Sequence, residues 1–177
     1  MQRGNQFDIR LSKSEDFSGV LSLYRAVAET SGGLARLSSE ITSGYVEQFF
    51  HATTSRGLGL VAVTKSEEII AEIHSYCPEV FCFSHVFTDL TIAVHPSVQS
   101  SGIGRAIFEQ FLSIVASERT YISRVELIAR ESNWRALAFY ETLGFVREGE
   151  MRGRVLNADG SIESDIPMAW HKYEKCE

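Results

Sequence analysis

The sequence predicts a mixed α/β fold in a single domain, residues 1–177, and three observations support this. The chain has 177 residues, a length typical of one domain. Segments with the apolar patterns of β-strands are interleaved with segments in which apolar residues recur at helical spacing. The resulting order is β-α-α-β-β-β-α-β-α-β-β, with no internal repeat, low-complexity segment or linker between its elements.

The first half of the chain is predicted to form four strands and two helices. Phe7, Ile9 and Leu11 alternate with polar residues and indicate the first strand. Ser14, followed by two acidic residues, is typical of a helix start, and Ser31–Gly33 would end that helix. The other predicted elements are a helix from Ser38 or Ser39 to His51, a hairpin of strands Gly57–Thr64 and Ile69–Tyr76, and a β-rich run within Phe81–Val94 that stops before Pro96.

The second half is predicted to begin with a helix, Ile103 to Val115, whose apolar residues share one face. A short strand over Val125–Ala129 leads into a second helix, Asn133 to Leu143, which Gly144 ends. The chain then forms a strand from Phe145, a turn at Asn157–Gly160 and a last strand, Ile162 to Trp170.

Composition narrows the function classes. The formal net charge of −6 argues against a general nucleic-acid binder, which needs a basic surface, but permits an anionic ligand held by backbone N–H groups. No apolar run approaches the ~18 residues of a membrane span, and the first residues lack a signal-peptide pattern, so we expect a cytoplasmic protein that does not bind membranes.

The three cysteines, Cys77, Cys82 and Cys176, have no metal-ligand spacing. We therefore expect reduced thiols and no metal site. Cys77 and Cys82 lie among apolar residues and are predicted to be buried packing thiols.

A glycine-containing turn, VHPSVQSSGIGRA, joins the strand that ends at Val94 to the next helix. Gly102 and Gly104 could serve only as tight-turn residues. A P-loop would need a lysine after Gly104, where Arg105 stands, and a dinucleotide fingerprint would need a small residue where Ile107 stands. A helix N-terminus that offers its N–H groups and positive dipole end to a diphosphate fits better.

A second informative stretch is RESNWRALAFYETLGF, which begins at Arg130. Asn133 stands at a helix start, and Tyr140 lies seven residues later on the same helix face. Alone, Asn133 would be a helix cap and Tyr140 a core residue with its hydroxyl at the rim. Their place one strand after the glycine turn indicates a binding site instead.

At these two stretches the sequence resembles the GNAT superfamily of acyl-CoA-dependent N-acetyltransferases. QSSGIGRA is similar to that family's motif A, Q/R-x-x-G-x-G/A, and ESNWRALAFYETLGF is similar to its motif B. The resemblance implies a mixed, mostly antiparallel sheet of six to seven strands, splayed at its central parallel pair and flanked by four helices. The tail, GFVREGEMRGRVLNADGSIESDIPMAW, is similar to the phosphinothricin and amino-acid acetyltransferase branch.

The resemblance implies that acetyl-CoA binds as co-substrate at three groups of residues. Backbone groups of the central strand would pair with the pantetheine amides, with an N–H near Val94 on the thioester carbonyl. N–H groups of the turn would hold the pyrophosphate, and the late helix would contact the arm. In that order the residues are Ile92, Ala93 and Val94; Gln99, Ser100, Ser101, Gly102, Ile103, Gly104 and Arg105; and Asn133, Phe139 and Tyr140.

The implied reaction is direct attack of a neutral amine on the thioester. Tyr140 would be the general acid for the leaving sulfur, because a tyrosine keeps its proton at neutral pH. Asp89 would be the general base, because an acid within a β-rich run is costly to bury without a role; Glu126 and a water chain are alternatives. Ile128 stands where other branches have a glutamate. His74, His85 and His95 are expected to be structural or exposed.

The implied acceptor is a small-molecule primary amine, first a free amino acid or amino-acid analogue. A polyamine, an aminoglycoside or a protein N-terminus stays open, as does a non-catalytic acyl-CoA-binding or sensor domain. The late strands are a common dimer edge in this family, so a homodimer is the expected assembly.

Overall fold

The computed structural model describes residues 7–30, 34 and 36–172. Within these residues the chain forms four α-helices and eight β-strands. Their bounds are β1 Phe7–Leu11, α1 Phe17–Ala28, α2 Ser43–Arg56, β2 Gly57–Thr64, β3 Ile69–Tyr76, β4 Val86–Val94, α3 Ile103–Ser117, β5 Arg124–Arg130, α4 Trp134–Thr142, β6 Val146–Arg147, β7 Met151–Leu156 and β8 Ile162–His171.

The hydrogen-bonded strand order is β1-β2-β3-β4-β5-β8-β6, and β7 also pairs with β8. β4 and β5 are parallel, whereas β1–β2, β2–β3, β5–β8, β6–β8 and β7–β8 are antiparallel. This confirms the predicted mixed, mostly antiparallel sheet with four helices. The eighth strand arises because the segment after Phe145 divides into β6 and β7, which pair with different parts of β8.

The chain divides into two compact units, each built from two stretches of sequence. Unit 1 comprises residues 1–76 and 91–114, and unit 2 comprises residues 77–90 and 115–177. The boundaries at 90/91 and 114/115 fall inside β4 and α3, so neither unit is a contiguous piece of chain. The predicted single domain stays a prediction.

Unit 1 contains the antiparallel strands β1, β2 and β3 with helices α1 and α2. Its core joins the apolar faces of both helices to β2 and to Ala93 of β4. Burial of each large apolar side chain contributes about 1.5–3 kcal/mol, so the two helices hold their places mainly through this cluster. The buried members are Val20, Leu23, Tyr24, Val27, Ile41, Val46, Phe49, Val61, Val63, Ile69 and Ala93.

Unit 2 is organised around β8, which pairs with β5 along seven residues, from Arg124↔His171 to Arg130↔Asp165. Along β5, buried Val125, Leu127 and Ala129 alternate with more exposed residues, as expected of a strand with one covered face. β6 and β7 pair with β8 as well.

Both predicted bounds of the second helix are wrong for local reasons. Residues Ser38–Glu40 form a 3₁₀ turn, and α2 begins at Ser43 because Thr42 caps it, its Oγ1 accepting from the Tyr45 N–H at 3.2 Å. α2 then continues beyond His51 to Arg56. β4, Val86–Val94, confirms the β-rich run predicted within Phe81–Val94, and Phe81–Phe83 before it forms another 3₁₀ turn. The predicted helix stop at Ser31–Gly33 lies outside the described residues.

The prediction of two buried cysteines is half right. Cys77 is buried and donates its Sγ–H to the Ser84 carbonyl, whereas Cys82 is exposed. Cys82 lies in the 3₁₀ turn beside Phe81, which is 90% exposed, so the apolar run there does not belong to the core. Cys176 lies outside the described residues. No helix within them is long and apolar enough to cross a bilayer.

Candidate active site

The turn between β4 and α3 lies in unit 1 and has an unusual backbone. Ser100 and Gly102 have φ values of +62° and +91°. Side chains fix the turn from within: the Gln99 amide donates to the Val94 carbonyl at 3.3 Å, and the Ser101 hydroxyl donates to the Val98 carbonyl at 2.5 Å. The backbone N–H groups of the turn are therefore presented by a defined conformation.

The first N–H groups of α3 point away from the helix body. The Ala106 N–H donates back along the chain to the Gly102 carbonyl at 3.0 Å. Those of Ile103 and Gly104 have no acceptor among the described residues, as is usual for the first turn of a helix. A Cβ on Gly102 would have nothing within 4 Å, so the turn is open to an approaching anion.

Asp89 lies on β4 at the point where the strand departs from regular geometry. The parallel register between β4 and β5 comprises Val86↔Arg124 and Phe87↔Val125 and then ends. Two residues later Asp89 has a φ of +53°, which is unusual for a residue other than glycine and indicates a kink in the strand. Such an early end of the register is what a splayed parallel pair requires.

Asp89 is exposed, so the expectation that a buried acid there needs a role is wrong. The expectation assumed a regular strand around Asp89, and the positive φ of Asp89 breaks that regularity. Its candidacy as a base now depends on its exposure and on its place where the β4–β5 register ends.

Asn133 and Tyr140 lie in unit 2, at the start and near the end of α4. Asn133 caps the helix, with its Oδ1 accepting from the Ala136 N–H at 3.3 Å. Tyr140 is partly buried, and its ring lies 5.6 Å from Phe139 and 6.1 Å from Phe145. Loss of water around the phenol raises the pKa of Tyr140 to about 12. The hydroxyl therefore stays protonated and can act as a donor.

Glu126, the alternative base, is engaged in an ion-pair network on β5. Arg124 donates to Glu126 at 2.6 Å, also pairs with Glu148, and contacts His171 Nε2 at 2.9 Å. Ile128, two residues further on, is 47% exposed. β5 thus offers one ion-paired carboxylate and one exposed apolar side chain at the two positions considered from the sequence.

A buried polar cluster in unit 1 was missed from the sequence. The Tyr24 hydroxyl donates to Glu72 Oε2 at 2.7 Å, and His74 Nδ1 lies 3.1 Å from both Glu72 oxygens. The three residues are 0%, 1% and 3% exposed. The available signal was an acid and a histidine two positions apart in an otherwise apolar strand, which places both side chains on one face.

Within the described residues no group of three His, Cys, Asp or Glu side chains could hold a metal ion. The turn Gln99–Arg105 suits an anion, Tyr140 suits proton donation, and Asp89 and the Tyr24–Glu72–His74 cluster supply carboxylates.

Comparison with known proteins gives a family for this set of features. A family model described as "Acetyltransferase (GNAT) domain" matches residues 46–147, more than half of the chain. The [Ribosomal protein bS18]-alanine N-acetyltransferase of Escherichia coli strain K12 is 34% identical over 79 residues, which are 45% of this chain and 52% of that protein. The chain thus spans about half the length of this curated relative.

Solved structures agree on the fold. An acetyltransferase of the GNAT family from Streptococcus pneumoniae superimposes with a TM-score of 0.83 at 19% identity, covering 93% of this chain and 99% of that one. A phosphinothricin acetyltransferase from Sinorhizobium meliloti, in complex with AcCoA, has a TM-score of 0.81 at 14% identity, covering 94% and 88%.

Proposed function

Because the chain belongs to the GNAT acetyltransferase family and is an acyltransferase, we propose that it transfers an acetyl group from acetyl-CoA to a primary amine. The acceptor we propose is a small amino acid or amino-acid analogue. The observation that carries the proposal is the turn Gln99–Arg105, where two residues with positive φ precede the open N-terminus of α3. Its N–H groups suit the pyrophosphate of a CoA thioester.

The binding roles follow from the residues in each unit. In unit 1 the backbone of Ile92, Ala93 and Val94 would pair with the pantetheine amides, and the turn would hold the pyrophosphate. In unit 2 Asn133 and the helix face around Phe139 and Tyr140 would contact the pantetheine arm. The capping bond of Asn133 uses only its Oδ1, so its NH₂ group keeps donor capacity for a ligand carbonyl.

We propose that Tyr140 donates a proton to the sulfur as the carbon–sulfur bond breaks. This step needs a phenol that keeps its proton until the thiolate forms, and the raised pKa of Tyr140 meets that need. Asp89 is our proposed base toward the acceptor amine because it is an exposed acidic residue two positions beyond the end of the β4–β5 register. Holding both reactants together contributes up to about 7–11 kcal/mol to such a transfer.

A protein N-terminus is a second candidate acceptor. It is favoured by the 34% identity to a ribosomal-protein-alanine N-acetyltransferase over 79 residues. The branch similarity of the tail favours the small amino acid, and an acceptor screen separates the two. We also propose a cytoplasmic protein that works without a metal and forms a homodimer, to be checked by light scattering of the purified chain.

The first experiment is thermal unfolding with acetyl-CoA, and with ATP and NAD as controls. Acetyl-CoA at 100 times its Kd should add about 2.7 kcal/mol of stability, which shifts the midpoint by several degrees in a chain of this size. Thiol release from acetyl-CoA is then followed with the twenty free L-amino acids and with a hexapeptide that begins with alanine. If no CoA thioester raises the midpoint, the proposed transfer is wrong. A thermal shift without thiol release from any acceptor would favour a binding or sensor domain.

A further inference from the structure

The Tyr24–Glu72–His74 cluster is a hydrogen-bonded network of ionisable groups in the core of unit 1. Glu72 is 1% exposed and accepts from Tyr24 on α1, while His74 Nδ1 lies 3.1 Å from each carboxylate oxygen. A carboxyl group buried this far needs donors for its lone pairs. Tyr24 and His74 are those donors, which explains why the three residues stay together inside an apolar core.

The network fixes which histidine nitrogen carries the proton. Burial, together with the Glu72 carboxylate, raises the pKa of Tyr24 well above its ordinary value, so Tyr24 remains a donor. With a proton on Nδ1, His74 would donate to Glu72 as Tyr24 does. The contacts of His74 with Tyr24 and Glu72 all use Nδ1, so Nε2 is the nitrogen that remains for proton exchange. A carboxylate that holds Nδ1–H in this way prepares Nε2 as a base.

Aromatic rings fix the plane of the imidazole. The Phe49 ring of α2 stacks on it at a centroid distance of 4.1 Å and an interplanar angle of 4°. Tyr76 lies parallel to it at 6.3 Å, and Tyr24 lies at 6.5 Å. Within the described part of the chain, the ionisable groups beside His74 are Tyr24 from α1 and Glu72 and Tyr76 from β3. From α2, the uncharged Phe49 stacks on the ring, and Tyr45 lies against Tyr24.

The position of His74 relates it to the β4 backbone within unit 1. The His95 N–H donates to the Ile70 carbonyl at 2.9 Å, so the start of β3 lies beside the end of β4 and the strands run antiparallel. Counting back from this bond places Ala93 opposite Glu72 and Thr91 opposite His74. Opposite residues in an antiparallel pair share a face.

Burial supports this register and indicates where the face opens. Ala93 belongs to the same core cluster as Tyr24 and is 1% exposed, whereas Thr91 is partly exposed. The strand pair is therefore less fully buried at Thr91, about 5 Å across from His74 at the usual strand spacing, than at Ala93. Thr91 directly precedes the three residues proposed to pair with pantetheine.

We propose that the Glu72–His74 pair is a proton acceptor for the acceptor amine in the acetyl transfer, with His74 Nε2 taking the proton. The inference rests on the proposed function. A primary ammonium loses two protons on becoming an amide, and Asp89 is proposed for only the first. As the carbon–nitrogen bond forms, the second proton would pass from the nitrogen to Nε2 and Glu72 would stabilise the imidazolium. The carbon–sulfur bond breaks and the sulfur takes its proton from Tyr140. Tyr140 then regains a proton from water, while His74 and Asp89 release theirs, so one proton is released per turnover.

The experiment compares His74→Asn with wild type, using the acceptor of the screen that gives the fastest thiol release. Asparagine can still donate to Glu72 but removes Nε2. We expect kcat to fall at least about 100-fold, the acetyl-CoA thermal shift to remain, and added imidazole to restore part of the rate. His51→Asn, the same change on the exposed surface of α2, should leave kcat unchanged. A His74→Asn variant with wild-type kcat, or with a loss that imidazole does not relieve, would overturn the assignment.

Glu72→Gln provides the deciding measurement if His74→Asn no longer binds acetyl-CoA. It keeps the size of the side chain but removes the charge that favours the imidazolium, so the acidic limb of the kcat/KM profile should move to lower pH. An unchanged acidic limb would overturn the proposal. A wild-type chain that releases no thiol with any acceptor would contradict the proposed function, whereas an active wild type with an equally active His74→Asn contradicts only the role of His74.

Discussion

Tyr140 shows at the scale of one residue how burial serves a chemical task. In the proposed mechanism its hydroxyl keeps a proton until the thiolate forms, and a pKa of about 12 keeps it protonated through the range in which amines become neutral. We expect Tyr140→Phe to lower kcat by about 10²–10⁴-fold with little change in acetyl-CoA affinity. Steady-state thiol release and calorimetric binding measure the two quantities.

Tyr121→Phe is the matched control for Tyr140→Phe, because Tyr121 is 56% exposed and has no proposed role. It should leave kcat unchanged. Deprotonation of Tyr140 should cause no loss of rate between about pH 7 and 10, because the hydroxyl loses its proton only above that range. A Tyr140→Phe variant with undiminished kcat would rule out the general-acid role.

Gly102 is a second single-residue feature, and its backbone is what matters. With φ at +91° a side chain is strained there by about 1–3 kcal/mol, although a Cβ would meet no atom within 4 Å. Gly102→Ala should therefore weaken acetyl-CoA binding by about tenfold, measured by titration calorimetry.

Gly44 is the control position, near the start of α2, where the Cβ of an alanine would lie 3.9 Å from Thr42 Oγ1. Gly44→Ala should raise the free energy of unfolding by about 0.5–1 kcal/mol and leave acetyl-CoA affinity unchanged. Equal affinity for Gly102→Ala and wild type would mean that the turn tolerates a regular residue and that the proposed cradle is wrong.

At the scale of elements, a charged network ties β5 to the strand that follows it in the sheet. Arg130 of β5 pairs with Glu163 of β8, and the Ser132 N–H donates to the same carboxylate at 3.1 Å. Hydrogen bonds from Ser132 and from Arg130 lower the pKa of Glu163 to about 2. The carboxylate is thus favoured in the folded state.

The sign of the resulting pH dependence follows from that lowered pKa. Stability from ionised Glu163 is complete above about pH 4.5, the value for an unfolded glutamate, and is lost as pH falls toward 2. Glu163→Gln should therefore be less stable at neutral pH and should show a shallower loss of stability between about pH 5 and 2. Urea unfolding at several pH values measures this. Parallel curves for variant and wild type would contradict the role of the pair.

The elements themselves were predicted well where the pattern is local and poorly where it is not. Strands β1, β2 and β3 match the predicted bounds, because alternation and turn residues are read from neighbouring positions. The start of the second helix was misplaced because Ser38–Glu40 forms a separate 3₁₀ turn, which local sequence does not distinguish from the first turn of a helix.

At the scale of the whole molecule, the division into two units raises the question of cooperativity. The unit boundaries cut through β4 and α3, so neither unit can unfold without breaking a strand and a helix that the other unit shares. We expect one unfolding transition, with equal calorimetric and van't Hoff enthalpies. Two resolved transitions in differential scanning calorimetry would contradict the predicted single domain.

Some features of the candidate site, like some of the elements, could be predicted from local sequence, and others could not. The places of Gly102 in a turn, Asn133 at a helix start and Tyr140 within that helix could be predicted from short stretches of sequence, and their functional roles stay predictions. The exposure of Asp89 could not, because a φ of +53° within a strand depends on how β4 leaves the β5 register. The sequence left the general-base role of Glu126 as an alternative, and its ion pair with Arg124 is seen only in the structure.

Local chemistry in the sequence was enough to specify the family, the order of elements, the glycine turn and the capped helix that carries Tyr140. Only the tertiary structure brought Tyr24 to Glu72 and His74, which lie 48 and 50 positions away along the chain. The reason is physical. Hydrogen bonds in a turn or cap join residues a few positions apart, whereas this buried network forms only when α1 packs on β3 and excludes the water that would otherwise solvate Glu72.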